Sequence, residues 1–208
     1  MGIWRDRALP WLTDRALRGD DIGALRARAC SGLRGHVLEL GFGSGLNVRY
    51  YPTPVAAVSA VEPADYAWHL AERRRRASAV PIARSGLDGQ RLAEDTETFD
   101  TVLTTFTLCS IPDLTLALGE VRRVLRPGGT LHFLEHGIAP DPGVAKWQRR
   151  LEPLQRRVAG GCHLTRDIPA LLIAAGFELE QLESDYLLGS GASSPVGYVY
   201  LGRAVIGS

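Results

Sequence analysis

From residue 36 onward, short apolar runs alternate with stretches whose apolar residues recur every three or four positions. That alternation builds a mostly parallel sheet covered by helices, since each strand needs a crossover before the next. The runs predict strands at 36–40, 57–61, 80–84, 101–105 and 130–134. The clearest helix spans 113–125, where Leu114, Ala117, Leu118, Val121, Val124 and Leu125 share one apolar face. Asp113, just after Pro112, is a good N-cap, and Pro127-Gly128-Gly129 stops the helix and turns the chain into the next strand. Residues 67–76 read as one helix ending in Arg73-Arg74-Arg75-Arg76, and a further helical stretch near 20–29 lies in an N-terminal arm.

The last third departs from this alternation. Over 144–158, Trp147, Leu151, Leu154 and Val158 fall on one face, with Pro153 placed to kink the helix, which makes this segment a lid candidate. Thr165 or Asp167 caps a helix with Ile168, Leu171, Leu172 and Ala175 on one side, ending at Gly176. Two strands, 177–184 and 196–205, follow without an intervening helix and predict an antiparallel hairpin across the loop 189–195. The expectation is one α/β domain over 1–208: an arm (1–35), a cofactor-binding core (36–135), then lid helices and closing strands (136–208).

With 208 residues, 45% of them hydrophobic, the chain can bury a substantial core in a single domain. A net charge of +1 argues against a nucleic-acid or anionic-membrane partner, and the arginine run reads as a solvated helix end complementing the dipole. Cys30, Cys109 and Cys162 are odd in number and widely spaced, and no secretory signal precedes them, so a reducing, cytoplasmic setting is expected. No C-x-x-C or His/Cys grouping suggests a metal, and no apolar run approaches the ~20 residues of a membrane span. A soluble monomer or homodimer acting on a small molecule fits these limits.

The most informative chemistry lies in Glu39-Leu-Gly41-Phe-Gly43-Ser-Gly45, directly after the apolar pair Val37-Leu38. Glycines at alternate positions between a strand and a helix let a ligand lie against bare backbone. A second acid, Glu62, ends the next apolar run and is placed to accept hydrogen bonds from ribose hydroxyls. Dinucleotide loops read G-x-G-x-x-G, and this chain has Leu46 where their third glycine would stand. An NAD-type oxidoreductase is therefore the weaker reading.

The form E-x-G-x-G-x-G resembles the loop of class I S-adenosylmethionine-dependent methyltransferases. With Val61-Glu62-Pro63, Phe99-Asp100-Thr101-Val102 and Leu125-Arg126-Pro127-Gly128-Gly129, the chain resembles their type 11 group across 36–135. The resemblance implies a Rossmann-like, doubly wound sheet, mostly parallel with an antiparallel C-terminal hairpin strand. S-adenosylmethionine would be the cofactor. Glu39, Gly41, Gly43 and Gly45 would form its loop, Glu62 with Pro63 would bind the ribose, and Gly86, Leu87 and Asp88 would lie where adenine is read. Thr105 and Phe106 would close over the methionine tail. A more local resemblance, carried by Thr107 to Ile111, Glu135-His136, the Trp147 to Pro153 segment and Gly161 to Asp167, is to the thiol S-methyltransferase-like subgroup. Those proteins carry an N-terminal membrane anchor, which this sequence does not show.

Methyl transfer needs alignment more than covalent chemistry, and a base only if the acceptor must lose a proton. His136, after the fifth strand, is the first candidate base, unless Glu135-His136 is only a hydrogen-bonded turn; His163 is the second. Cys109 would stand on the pocket wall, as a small buried residue rather than a nucleophile. Trp147 and Leu151 would cover an apolar acceptor or simply pack in the core, and Tyr51 would overhang the methyl group or cap a helix. A catalytically silent module of the same fold is the alternative from another class.

Overall fold

The computed structural model describes residues 4–187 and 194–207. Seven strands form one sheet: β1 (Gly35–Leu40), β2 (Val55–Val61), β3 (Ile82–Gly86), β4 (Phe99–Thr105), β5 (Leu125–His136), β6 (Phe177–Tyr186) and β7 (Tyr198–Ile206). Their order is β3-β2-β1-β4-β5-β7-β6. The first five pair in parallel, and β7 runs antiparallel to both β5 and β6. The order reverses between β1 and β4, the crevice where open α/β sheets bind ligands at their carboxyl edge.

Helices α1 (Leu9–Ala16), α2 (Asp20–Cys30), α3 (Asp65–Leu70), α4 (Glu72–Arg76), α5 (Leu114–Val124), α6 (Pro142–Val158) and α7 (Ile168–Ala174) surround the sheet, and a π-helical turn (Trp4–Ala8) precedes α1. On one face α5 and α7 enclose Leu38, Val102, Leu118, Val121, Phe133 and Leu172. On the other, Ala29, Cys30 and Leu33 from α2 and its end pack on Val37, Leu103 and Leu134. The caps follow the sequence, with Asp113 accepting from the Leu116 amide and Asp167 from the Ala170 amide. Thr165 is not the α7 cap, because the helix starts at Ile168 directly after Asp167 and the Thr165 hydroxyl is given to Glu152.

Three expectations change. The predicted helix over 67–76 is two short ones, α3 and α4, that meet at Ala71. α5 gives way to extended backbone at Leu125, so the strand begins before Pro127-Gly128-Gly129. The predicted apolar face of α6 points outward, with Trp147 54% and Leu154 59% exposed. Its buried side carries Val144, Ala145 and Gln148, because the Gln148 amide accepts from the Ala139 N–H (2.9 Å) and donates to the Gly137 carbonyl (3.0 Å). Most of the loop 189–195 lies outside the described residues. Among those described, no helix is long and apolar enough to cross a membrane.

Candidate active site

A cavity of about 670 Å³ opens at the carboxyl edge beside the β1 and β4 ends. Its volume lies within the roughly 300–1,000 Å³ typical of small-molecule sites. One wall is the glycine loop after β1. Gly41 has φ +68°, and a Cβ there would come within 2.0 Å of the Thr107 hydroxyl. Gly43 has φ +57°, and a Cβ there would meet nothing closer than 3.9 Å, so this position keeps the cavity side of the loop bare. The Gly43 N–H donates to Glu62 Oε2 (2.6 Å), while Glu62 Oε1 accepts from the Ala64 N–H (2.7 Å). Burial raises the Glu62 pKa against those two backbone hydrogen bonds. Its carboxylate has lone pairs left for a ligand, since two oxygens offer about four acceptor sites.

Glu39 stands behind this wall rather than on it. It is fully buried, and its oxygens accept from Asn47 Nδ2 (2.9 Å) and from the Tyr51 hydroxyl. Burial pushes its carboxyl up to about 7, against the hydrogen bonds from Tyr51 and Asn47. Tyr51 therefore braces Glu39 from below and does not overhang the cavity. Asn47 also donates to the Thr105 hydroxyl (2.9 Å), which in turn accepts from Arg26 (2.9 Å). Arg26 comes from α2, lies 4% exposed on the cavity wall, and has a buried Nε without a partner.

Phe106 follows β4 in the left-handed region at φ +54°, a conformation that costs a bulky residue on the order of 1 kcal/mol. Its N–H donates to the Leu134 carbonyl (2.8 Å), and its ring meets His136 edge-on with centroids 4.9 Å apart. Glu135, fully buried, shapes the next turn: it accepts from the Thr107 amide (2.8 Å), the Cys109 amide (3.4 Å) and the Thr104 hydroxyl (2.7 Å). Burial raises its pKa and those donors hold it back.

The far end of the cavity gathers Cys109, His136 and Cys162. The two sulfurs are 3.5 Å apart, and the ligating atoms of all three side chains lie within 4.8 Å of one another. The two thiols are driven apart: Cys162, beside His136, is held low by its neighbours, while Cys109, wholly buried, is pushed up. Backbone ties hold the two cysteine loops together, the His163 N–H donating to the Cys109 carbonyl (2.8 Å) and Arg166 to the carbonyls of Leu108 and Ile111 (2.7 Å). No grouping of metal-ligating residues is visible along the sequence; the fold makes one, from segments far apart in the chain.

Other expected positions are distributed unevenly. Gly41, Gly43, Glu62, Pro63, Leu87, Asp88, Thr105, Phe106, Cys109 and His136 line the cavity; Glu39, Gly45, Gly86, Tyr51, Trp147, Leu151 and His163 do not. Gly86 pairs with Val61 inside the sheet, and Gly45 backs onto Phe42 and Ala71. The His163 ring is turned to Glu152 (3.1 Å). Trp147 lies on the exposed side of α6, with the Arg150 guanidinium 5.3 Å from its ring, so the cavity is closed instead by Gln155, Ala159 and Gly160 from the end of that helix.

The arm contributes what the sequence did not announce. Leu9, Thr13, Asp14 and Leu17 roof the cavity. Asp14 is 6% exposed and accepts from the Ser44 hydroxyl (2.6 Å) in the glycine loop, and it pairs with Arg74 (2.9 Å) and Arg18. Arg74 also donates to the Ser44 carbonyl (2.8 Å), and the Arg75 guanidinium lies 3.8 Å from the Trp68 ring centroid. The arginine run is thus partly a clamp on the glycine loop, not only a solvated helix end.

Sheet order, bare glycine loop and the acid closing β2 together define a class I methyltransferase fold. Residues 38–133 match the family model described as a methyltransferase domain. It is 38% identical over 153 residues to the thiol S-methyltransferase TMT1B of Rattus norvegicus, a match covering 71% of this chain and 62% of that protein. It is 29% identical over 124 residues to the ubiquinone biosynthesis O-methyltransferase of Rhizobium rhizogenes, covering 60% and 49%. A crystal structure from Thermotoga maritima, described as an S-adenosylmethionine-dependent methyltransferase and possible histamine N-methyltransferase, superposes with a TM-score of 0.66 at 20% identity, covering 98% of this chain and 97% of that one. The chain thus spans less than two thirds of the length of these curated relatives.

Proposed function

We propose that this protein transfers the methyl group of S-adenosylmethionine to a small, fairly apolar thiol. The observation that carries the reading is the meeting of Cys109, His136 and Cys162 beside the Phe106 ring, in a cavity that Leu9 and Ile111 also line. Such a surface suits a soft, weakly hydrated acceptor atom. The named activity of the Rattus norvegicus relative points the same way.

The cofactor fits the other end. Gly43 leaves the loop open, Glu62 is placed for the ribose hydroxyls, and Leu87 with Asp88 stands at the rim for adenine. Arg26, with its unpartnered buried Nε, offers a cation to the amino acid carboxylate. Bound there, S-adenosylmethionine supplies an activated methyl group on a sulfonium. The residues of this chain hold it, orient the acceptor and exclude water, and such alignment is worth roughly 7–11 kcal/mol. A thiol, with a pKa of about 8.5, needs less help in losing its proton than a hydroxyl does.

Release of S-adenosylhomocysteine tests this, with a panel of alkyl thiols, phenols and amines of matched size. Thiols should turn over at least tenfold faster by kcat/KM. Faster turnover of phenols would favour O-methylation, the activity named for the Rhizobium rhizogenes relative. Cofactor binding without turnover on any acceptor would indicate a silent module.

A further inference from the structure

We propose that Cys109, His136 and Cys162 form a zinc site whose open fourth position receives the acceptor thiolate, an inference that rests on the thiol-methylation reading. Two thiolates from separate loops and an imidazole from the end of β5 are a donor set that selects zinc, and catalytic zinc sites combine three protein ligands with one exchangeable position. With Zn–S of about 2.3 Å and Zn–N of about 2.0–2.1 Å, tetrahedral geometry puts the two sulfurs about 3.8 Å apart and sulfur and nitrogen about 3.6 Å apart. Here the sulfurs are 3.5 Å apart and all three donor atoms lie within 4.8 Å, so an ion needs shifts of about an ångström or less. All three residues face the cavity, which leaves the fourth direction to the acceptor.

The supports behind the ligands are those of a built site. The Glu135 carboxylate holds the Cys109 amide, the His163 N–H ties one cysteine loop to the other, and the Phe106 ring fixes the His136 imidazole edge-on. Such outer contacts orient metal ligands. The Cys109 and Cys162 sulfurs are also well beyond the ~2.05 Å of a disulfide, so the reduced pair is free to bind.

The step balances without a protein base. The acceptor R–SH displaces water from the zinc and gives its proton to solvent, leaving R–S⁻ on the metal. A sulfur lone pair then forms the S–CH₃ bond as the sulfonium carbon–sulfur bond breaks, its electron pair staying on the departing S-adenosylhomocysteine. The product is a neutral thioether, a poor zinc ligand, and it leaves. In this scheme His136 is a ligand, not the base its position first suggested.

The test uses the intact protein, reduced, stripped by chelation and titrated with cobalt(II). One equivalent should give the intense visible bands of tetrahedral cobalt with thiolate-to-cobalt charge transfer in the near ultraviolet, and one equivalent of zinc should abolish them. An alkyl thiol should shift the bands, and the matched alcohol should not. Cys109→Ser, Cys162→Ser and His136→Ala should each weaken zinc binding at least 100-fold while still binding S-adenosylmethionine, which shows that they fold; Cys30→Ala, whose side chain does not line the cavity, should leave the cobalt spectrum intact. X-ray absorption of the zinc-loaded wild type should report two sulfurs and one protein nitrogen without any variant. A weak octahedral cobalt spectrum, a tetrahedral one indifferent to thiols, or a chelated enzyme that methylates thiols at the zinc-loaded rate would overturn the proposal. The last outcome would leave thiol methylation standing, whereas thiol-sensitive cobalt without thiol turnover would refute that reading and with it the acceptor role of the fourth position, leaving only the metal site.

Discussion

At the scale of single residues, the cavity pairs each liganding group with one that fixes it. Glu62 is held by two backbone amides, so removing its carboxylate leaves Gly43 and Ala64 unpartnered and, under the proposed function, the ribose as well. Glu62→Ala should weaken S-adenosylmethionine binding by about 10- to 100-fold, the worth of one or two hydrogen bonds to a charged group, as read by titration calorimetry. An unchanged affinity would remove Glu62 from the ribose site. Gly43→Ala separates conformation from contact. At φ +57° it should cost about 1 kcal/mol of stability, and its methyl, directed at open space, should lower cofactor affinity further. Chemical denaturation and calorimetry on the same variant distinguish the two losses.

Among the elements, the turn after β4 depends most on a single buried side chain. Glu135→Ala leaves the Thr104 hydroxyl and the Thr107 and Cys109 amides without their acceptor, and should cost about 3 kcal/mol. Glu135→Gln, which keeps an acceptor oxygen, should lose less, and hydrogen exchange should accelerate at 107–109 more than elsewhere in the Ala variant. The sheet itself was legible because strands buried on both faces read as unbroken apolar runs, and the caps at Asp113 and Asp167 are local chemistry. The facing of α6 was not. A hydrophobic stripe predicts the inward side only where something apolar awaits it, and here Gln148 satisfies two loop groups that Trp147 cannot. Neither Asp14 nor Arg26 announces itself, since each matters through partners 30 and 79 positions away. Cys109, His136 and Cys162 likewise come from two loops and the end of β5, so no local spacing encodes their meeting.

For the whole molecule, His132 links the core to pH. It sits 3% exposed on β5, its Nδ1–H donating to the Ala29 carbonyl (3.0 Å) while Nε2 faces the Thr130 hydroxyl (3.2 Å). Burial holds its pKa down at about 4. The unfolded chain binds that proton from about pH 6.5 downward and the folded one only near 4, so this group's contribution is present above 6.5 and is lost as pH falls toward 4. Wild type should take up close to one more proton on unfolding at pH 5 than His132→Gln does. Calorimetry in buffers of different ionisation heat measures the difference, and equal uptake would show that His132 stays protonated in the fold.

The arm has a kinetic consequence. A roof from outside the sheet, fastened through Asp14 to Ser44 and Arg74, makes the cavity's traffic depend on a contact that takes no part in chemistry. Asp14→Asn should speed S-adenosylhomocysteine dissociation several-fold in stopped flow while leaving the sheet's unfolding midpoint nearly unchanged. If release limits turnover, the same variant should raise kcat and make it less sensitive to solvent viscosity. Unaltered dissociation would mean that the nucleoside leaves past the β3 rim instead. Faster dissociation would mean that the first turns of the described chain time the passage through a cavity that the later strands build.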